Sequence, residues 1–157
     1  MIKKHLVLGI GNDILMDDGI GPRLVQDLEK NRPIPGVEYR TTTLGGLEIL
    51  EFTQGYHTVI FIDAIKTRGG KIGDVYEFTT DDFKETLHLS NLHDVSFLTA
   101  LELGKQMGLS IPRVTRIIAI EILEDLVFDD TFTPQLQAEY PRIQREVGAA
   151  IESYLQN

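Results

Sequence analysis

The sequence predicts an α/β fold: a three-layer α/β/α sandwich around a mostly parallel, twisted sheet of about five strands. Three observations predict it. Short apolar runs alternate with stretches of helical period along the 157 residues. The run Thr58-Val59-Ile60-Phe61-Ile62 is nearly continuously apolar, as in a central parallel strand covered on both faces. The first apolar run, Leu6-Val7-Leu8, passes through Gly9, Gly11, Gly19 and Gly21 into a helical pattern, the grammar of strand, tight loop and helix start.

The elements follow in order. Residues 5–9 form a short buried strand, and a helix beginning at Asp18 or Gly19 runs to about Asn31, with Ile20, Leu24, Val25 and Leu28 on its inner face. Pro22 suits its first turn and Pro33 and Pro35 end it. Residues 37–43 alternate as a strand, and Gly45-Gly46 make a flexible turn. A short helix then buries Leu47, Leu50 and Phe52 and stops at Gly55. The central strand spans 57–63 and ends in Asp63. Gly69, Gly70 and Gly73 mark a turn-rich connector before a strand at 75–78, an antiparallel edge candidate. Residues 79–93 are irregular. A helix from Asp94 to about Met107, with Phe97, Leu98, Leu101 and Leu103 as core positions, ends at Gly108. A last strand covers 114–120, and residues 134–155 form an amphipathic helix with Leu136, Ile143, Val147, Ile151 and Leu155 inward. No repeat or linker interrupts the chain, so residues 1–157 read as one domain.

Composition narrows the function. With no cysteine, disulfides, thiolate catalysis and thiolate metal sites are excluded. A net charge of −9 without a basic stripe argues against nucleic acid. No segment reads as a signal peptide or membrane span, so a cytoplasmic, soluble protein is expected, with a monomer as the default state. A dinucleotide fingerprint starting at Gly9 needs glycine where Ile14 stands, and no Gly-Lys-Ser/Thr follows for a phosphate loop. Asp13, Asp17 and Asp18 would repel a phosphate at the helix start.

Acids in that loop instead suit a cation. In a parallel sheet, the carboxyl ends of neighbouring strands share one edge, where α/β proteins place their ligands. The first loop brings Asp18 there, the central strand Asp63, and the segment before the next major helix His93. Two carboxylates and an imidazole with open positions suit a borderline divalent ion such as zinc or nickel. Taken singly, each has a bland role: Asp18 and Asp17 as helix caps, Asp63 as a strand terminator, His93 as a loop histidine. His88 is a further ligand candidate. His5 and His57 start strands, at the wrong edge, and read as surface residues. Asp17 is a support for Asp18 or a general base, and Glu121 lies at a strand end near the site.

Gly9-Ile10-Gly11-Asn12-Asp13-Ile14-Leu15-Met16-Asp17-Asp18-Gly19-Ile20-Gly21 resembles the N-terminal signature of the hydrogenase maturation endopeptidases. Ile60-Phe61-Ile62-Asp63-Ala64 resembles their second block and Ser90-Asn91-Leu92-His93 their third, with Phe132-Thr133-Pro134 before the last helix. The resemblance implies metal-dependent trimming of the C-terminal extension of a [NiFe]-hydrogenase large-subunit precursor, with Asp18, Asp63 and His93 contacting the metal. The ion is then nickel carried by the precursor, or zinc held by the enzyme. Some members carry Glu at the position of Asp18. The family's Asp-Gly-Gly-Thr-type segment is replaced here by Thr41-Thr42-Thr43-Leu44-Gly45-Gly46, so no role transfers to that acid. Two other readings are a non-catalytic module that senses a metallated partner and a nucleotide-binding domain.

Overall fold

The computed structural model describes residues 4–43, 48–82, 86–89 and 97–156. Strand β1 (His5–Ile10) leads through a 3-10 turn (Met16–Gly19) into α1 (Ile20–Asn31). Next come β2 (Val37–Thr42), α2 (Ile49–Thr53), β3 (Thr58–Ile65), β4 (Val75–Phe78), α3 (Phe97–Gln106), β5 (Val114–Glu121) and α4 (Pro134–Leu155). The sheet order is β2-β1-β3-β5-β4. All pairings are parallel except β4 with β5, the antiparallel edge foreseen in the sequence.

Strand alternation sends apolar side chains into two cores. On one face, Val7, Ile60, Ile62, Ile118 and Ile120 pack with Ile20 and Leu24 of α1 and with Ile143 and Val147 of α4. On the other, Leu6, Leu8, Phe61, Ile117 and Ala119 pack with Ile49 and Leu50 of α2 and Ala100 of α3. This is the three-layer α/β/α arrangement.

Four expectations change. Asp63 does not end its strand: β3 continues to Ile65, in register with Ala119, Ile120 and Glu121 of β5, because Ala64 and Ile65 are as apolar as the run before them. Helix α1 begins only at Ile20, after the tighter 3-10 turn. Leu103 is 44% exposed, because Ala100 and Gly104 occupy the inward face of α3. His5 and His57 sit at the amino edge as expected, but they are half-buried against each other, edge to face, with ring centres 6.1 Å apart. Leu47, the stretch 90–96 and the side chains of Phe97 and Leu98 lie outside the described residues.

Candidate functional site

Glycines set the geometry of the carboxyl edge. A Cβ on Gly21 would stand 2.5 Å from the Ile62 carbonyl oxygen and 2.7 Å from that of Ile10. Helix α1 therefore rests backbone to backbone on β1 and β3 at this point, and only glycine permits it. Gly11, with φ 150°, has the Asp18 carbonyl oxygen 2.1 Å from its own Cβ position. The loop is thereby folded tightly enough to bring Asp18 over the end of β3.

Asp18 and Asp63 are both buried. Asp18 Oδ2 accepts the backbone N–H of Asn12 at 2.8 Å, while Oδ1 lies 3.3 Å from Nε2 of His88. Asp63 Oδ1 accepts the N–H of Ala64 at 2.8 Å and lies 2.6 Å from Nδ1 of His88; its Oδ2 accepts the His88 backbone N–H at 2.8 Å. One imidazole thus bridges two carboxylates that are 45 residues apart in sequence. Burial by itself would lower the basicity of His88, but hydrogen bonds to Asp18 and Asp63, and their charges, outweigh it and push its pKa up to about 10. The ring is an imidazolium at neutral pH, donating from both nitrogens. Among the described residues, no three His, Asp or Glu side chains form a ready-made metal cage; these three are in hydrogen-bond contact instead.

Asp18 and Asp63 are therefore brought together. His93 lies outside the described residues. His88 stands in direct contact with both acids, and its only sequence signal is its place in the irregular stretch before His93.

The other two acids prove to be fastened elsewhere. Asp17 is fully buried and faces away from the pair. Its Oδ1 accepts the Thr133 N–H at 2.8 Å, its Oδ2 accepts those of Leu123 and Glu124 at 3.1 and 3.2 Å, and the Thr133 hydroxyl donates at 2.9 Å. Thr133 is also the N-cap of α4. Asp17 is thus a support that ties the 3-10 turn to the β5–α4 connection. Glu121 accepts the Thr67 N–H at 2.7 Å, the Tyr76 hydroxyl at 3.0 Å and the Thr67 hydroxyl, pinning the β3–β4 connector to the end of β5.

Fold and edge together define a three-layer α/β protein that gathers two buried carboxylates and an imidazole where parallel strands end. Residues 22–154 match the family described as HycI: Hydrogenase maturation protease. The chain belongs to the hydrogenase maturation protease family; it is a hydrolase of the peptidase class with a role in hydrogenase maturation. The match begins after the glycine-rich loop, so the Gly9–Gly21 signature stands as a separate observation. No curated protein matches the chain by sequence. Solved structures agree in fold. The hydrogenase maturating endopeptidase HybD from Escherichia coli is 22% identical, covering 96% of this chain and 93% of its own, with a TM-score of 0.70. An endopeptidase from Escherichia coli solved in solution is 23% identical over the same shares, with a TM-score of 0.74. A hydrogenase 2 maturation peptidase from a Thaumarchaeota archaeon is 25% identical, covering 95% and 98%, with a TM-score of 0.64.

Proposed function

We propose that the chain is a metal-dependent endopeptidase that removes the C-terminal extension of a [NiFe]-hydrogenase large-subunit precursor after nickel insertion. The observation that carries this is the convergence of Asp18 and Asp63 on one imidazole at the carboxyl edge, in a member of this family. The donor chemistry fits a borderline divalent ion: carboxylate oxygens from Asp18 and Asp63, and an imidazole from His93 or His88. The favoured ion is the nickel already seated in the precursor, which makes it part of the substrate. Zinc held by the enzyme is the alternative source of the same chemistry. Asp18, Asp63 and the histidine would hold that ion, which would supply Lewis acidity toward the scissile carbonyl or a water.

The chain's own residues do the rest. Asn12 fixes one oxygen of Asp18 through its backbone N–H, and Ala64 fixes one of Asp63. Burial keeps both carboxylates in a medium where charge interactions are stronger than in water. The His88 imidazolium balances them in the absence of another cation. The Gly9–Gly21 backbone contacts hold the two strands' ends at fixed separation.

The test is mass spectrometry of precursor before and after incubation with metal-stripped enzyme. The expected result is a shortened C-terminus with nickel-loaded precursor and an intact one with nickel-free precursor. Cleavage that returns only when zinc is restored to the enzyme places the ion on the enzyme. An intact precursor under every condition overturns the protease assignment.

A further inference from the structure

The segment between β5 and α4 carries side chains that the fold leaves unburied. Leu126 and Phe128 are each 80% exposed, with Val127 at 47% and Leu123 at 44%. Ile14, in the loop that also bears Asp18, is 51% exposed. Five large apolar side chains concentrated in two adjoining loops differ from apolar residues scattered singly over a surface, and such clusters mark interaction sites.

This crown is held in place at both ends by the loop that carries Asp18. At its start, Asp17 accepts the N–H groups of Leu123 and Glu124 and donates its own to the Glu124 carbonyl at 3.0 Å. At its finish, Met16 N–H donates to Asp129 O at 2.9 Å and Asp129 N–H to Ile14 O at 2.9 Å. Within it, Glu124 Oε2 accepts the N–H groups of Asp125 and Leu126. Whatever seats on 126–128 is therefore positioned relative to Asp18.

Charge selects the occupant. The apolar residues are bordered by the exposed acids Asp13, Asp129 and Asp130 on a chain of net charge −9, and the cations beside them are already engaged, Lys66 with Asp125 and Arg23 with the Asp130 carbonyl, which leaves the rim acidic. A second copy is disfavoured, because twofold pairing would bring two acidic rims together. An anionic lipid surface is disfavoured for the same reason. An apolar protein face with basic residues around it satisfies both features. We propose that Ile14, Leu123, Leu126, Val127 and Phe128 form the docking surface for the large-subunit precursor, which meets them with an apolar patch ringed by Lys and Arg. This inference rests on the protease reading above for the identity of its partner. It gives the enzyme an anchor outside the cleavage site, whose binding energy holds the precursor equally before and during cleavage.

The test uses the full chain with Leu126→Ser and Phe128→Ser combined, and separately Asp130→Lys, each checked by its melting temperature. All three side chains are exposed, so the fold is expected to hold. With nickel-loaded precursor, the double variant is expected to raise KM by roughly thirtyfold at unchanged kcat. Asp130→Lys is expected to raise KM about threefold in low salt and not in high salt. An unchanged KM in the double variant, with wild type active, overturns the docking surface and leaves the protease reading intact. If wild type binds the precursor without trimming it, the protease reading falls; a roughly thirtyfold weaker affinity in the double variant then supports docking, and an unchanged one overturns it. If wild type neither binds nor trims, both fall. A wild-type dimer in sedimentation that the double variant dissolves assigns the surface to a second copy and overturns the proposal.

Discussion

Two buried acidic regions meet in the 3-10 turn, one on each side of a single peptide bond. On one side, Asp17 faces the β5–α4 connection and takes neutral donors only: three backbone N–H groups and one hydroxyl. On the other, Asp18 faces β3 and takes one backbone N–H and one imidazolium. The first region is complete. Its donors come from the main chain and the N-cap of α4, so they cannot leave without unfolding the connection. The second is balanced by a side chain that is itself 21% exposed, and under the proposed function another cation would take its place. The same residue type therefore serves architecture at one position and chemistry at the next, and what separates them is whether the partner is exchangeable.

Crossed substitutions break this comparison most sharply. On the proposed function, Asp18→Asn is expected to lower precursor cleavage by about a thousandfold and, because it removes a charge facing the His88 imidazolium, to cost about 1 kcal/mol of stability, well below the cost of Asp17→Ala. Asp17→Ala is expected to strand the N–H groups of Leu123, Glu124 and Thr133 and to cost about 3 kcal/mol of stability. Residual folded Asp17→Ala protein should still trim. The opposite assignment, with Asp17 stable to substitution but required for cleavage, would make it a general base and end the contrast.

Glu121 extends the comparison to a third acid, at the end of β5. It resembles Asp17, since among the described residues Thr67 and Tyr76 supply the hydrogen bonds to its carboxylate. Glu121→Gln keeps an acceptor for the Thr67 N–H and turns its NH2 to the Thr67 and Tyr76 hydroxyls, which can accept instead, so it should cost only about 1 kcal/mol, the difference between a charged and a neutral partner. Cleavage per folded molecule should change less than about threefold, because no contact joins Glu121 to Asp18 or Asp63. A much larger loss of turnover at unchanged stability would move Glu121 into the site.

Much of this architecture is legible in the sequence. The buried β3 is visible as an apolar run, and the glycines of the first loop mark the strand-to-helix turn. Parallel topology then required Asp18 and Asp63 to share an edge. What stayed illegible was contact made by main-chain groups. The donors to Asp17 sit 106, 107 and 116 residues away and are backbone N–H groups, which carry no side-chain signature. His88 had no periodicity to place it, since it lies in an irregular segment. The end of β3 is hidden because an ionisable residue reads as a strand terminator, whereas Asp63 is satisfied inside the strand by Ala64 and His88. The exposure of Leu103 shows the same limit from the other direction: helical spacing gives a face, and Gly104 moved that face by one residue.

The smallest effect, and the one that sharpens what sets Asp18 and Asp63 apart, is in pH. The His88 imidazole rises from an ordinary 6.5 to about 10 in the folded protein, through Asp18 and Asp63 working against burial. A base whose folded value is raised adds stability that is fully present below its unfolded value and is lost as pH rises through the folded one. Wild type should therefore exceed His88→Gln in melting temperature by about 3 °C near pH 6.5, with the gap closing between pH 6.5 and 10. Asp17 has no such partner, so the loss caused by Asp17→Ala should stay level over the same range. A constant gap for His88→Gln would mean the imidazole is neutral between the two acids. A neutral ring would donate to one carboxylate only, and the cation that distinguishes the two regions would be gone.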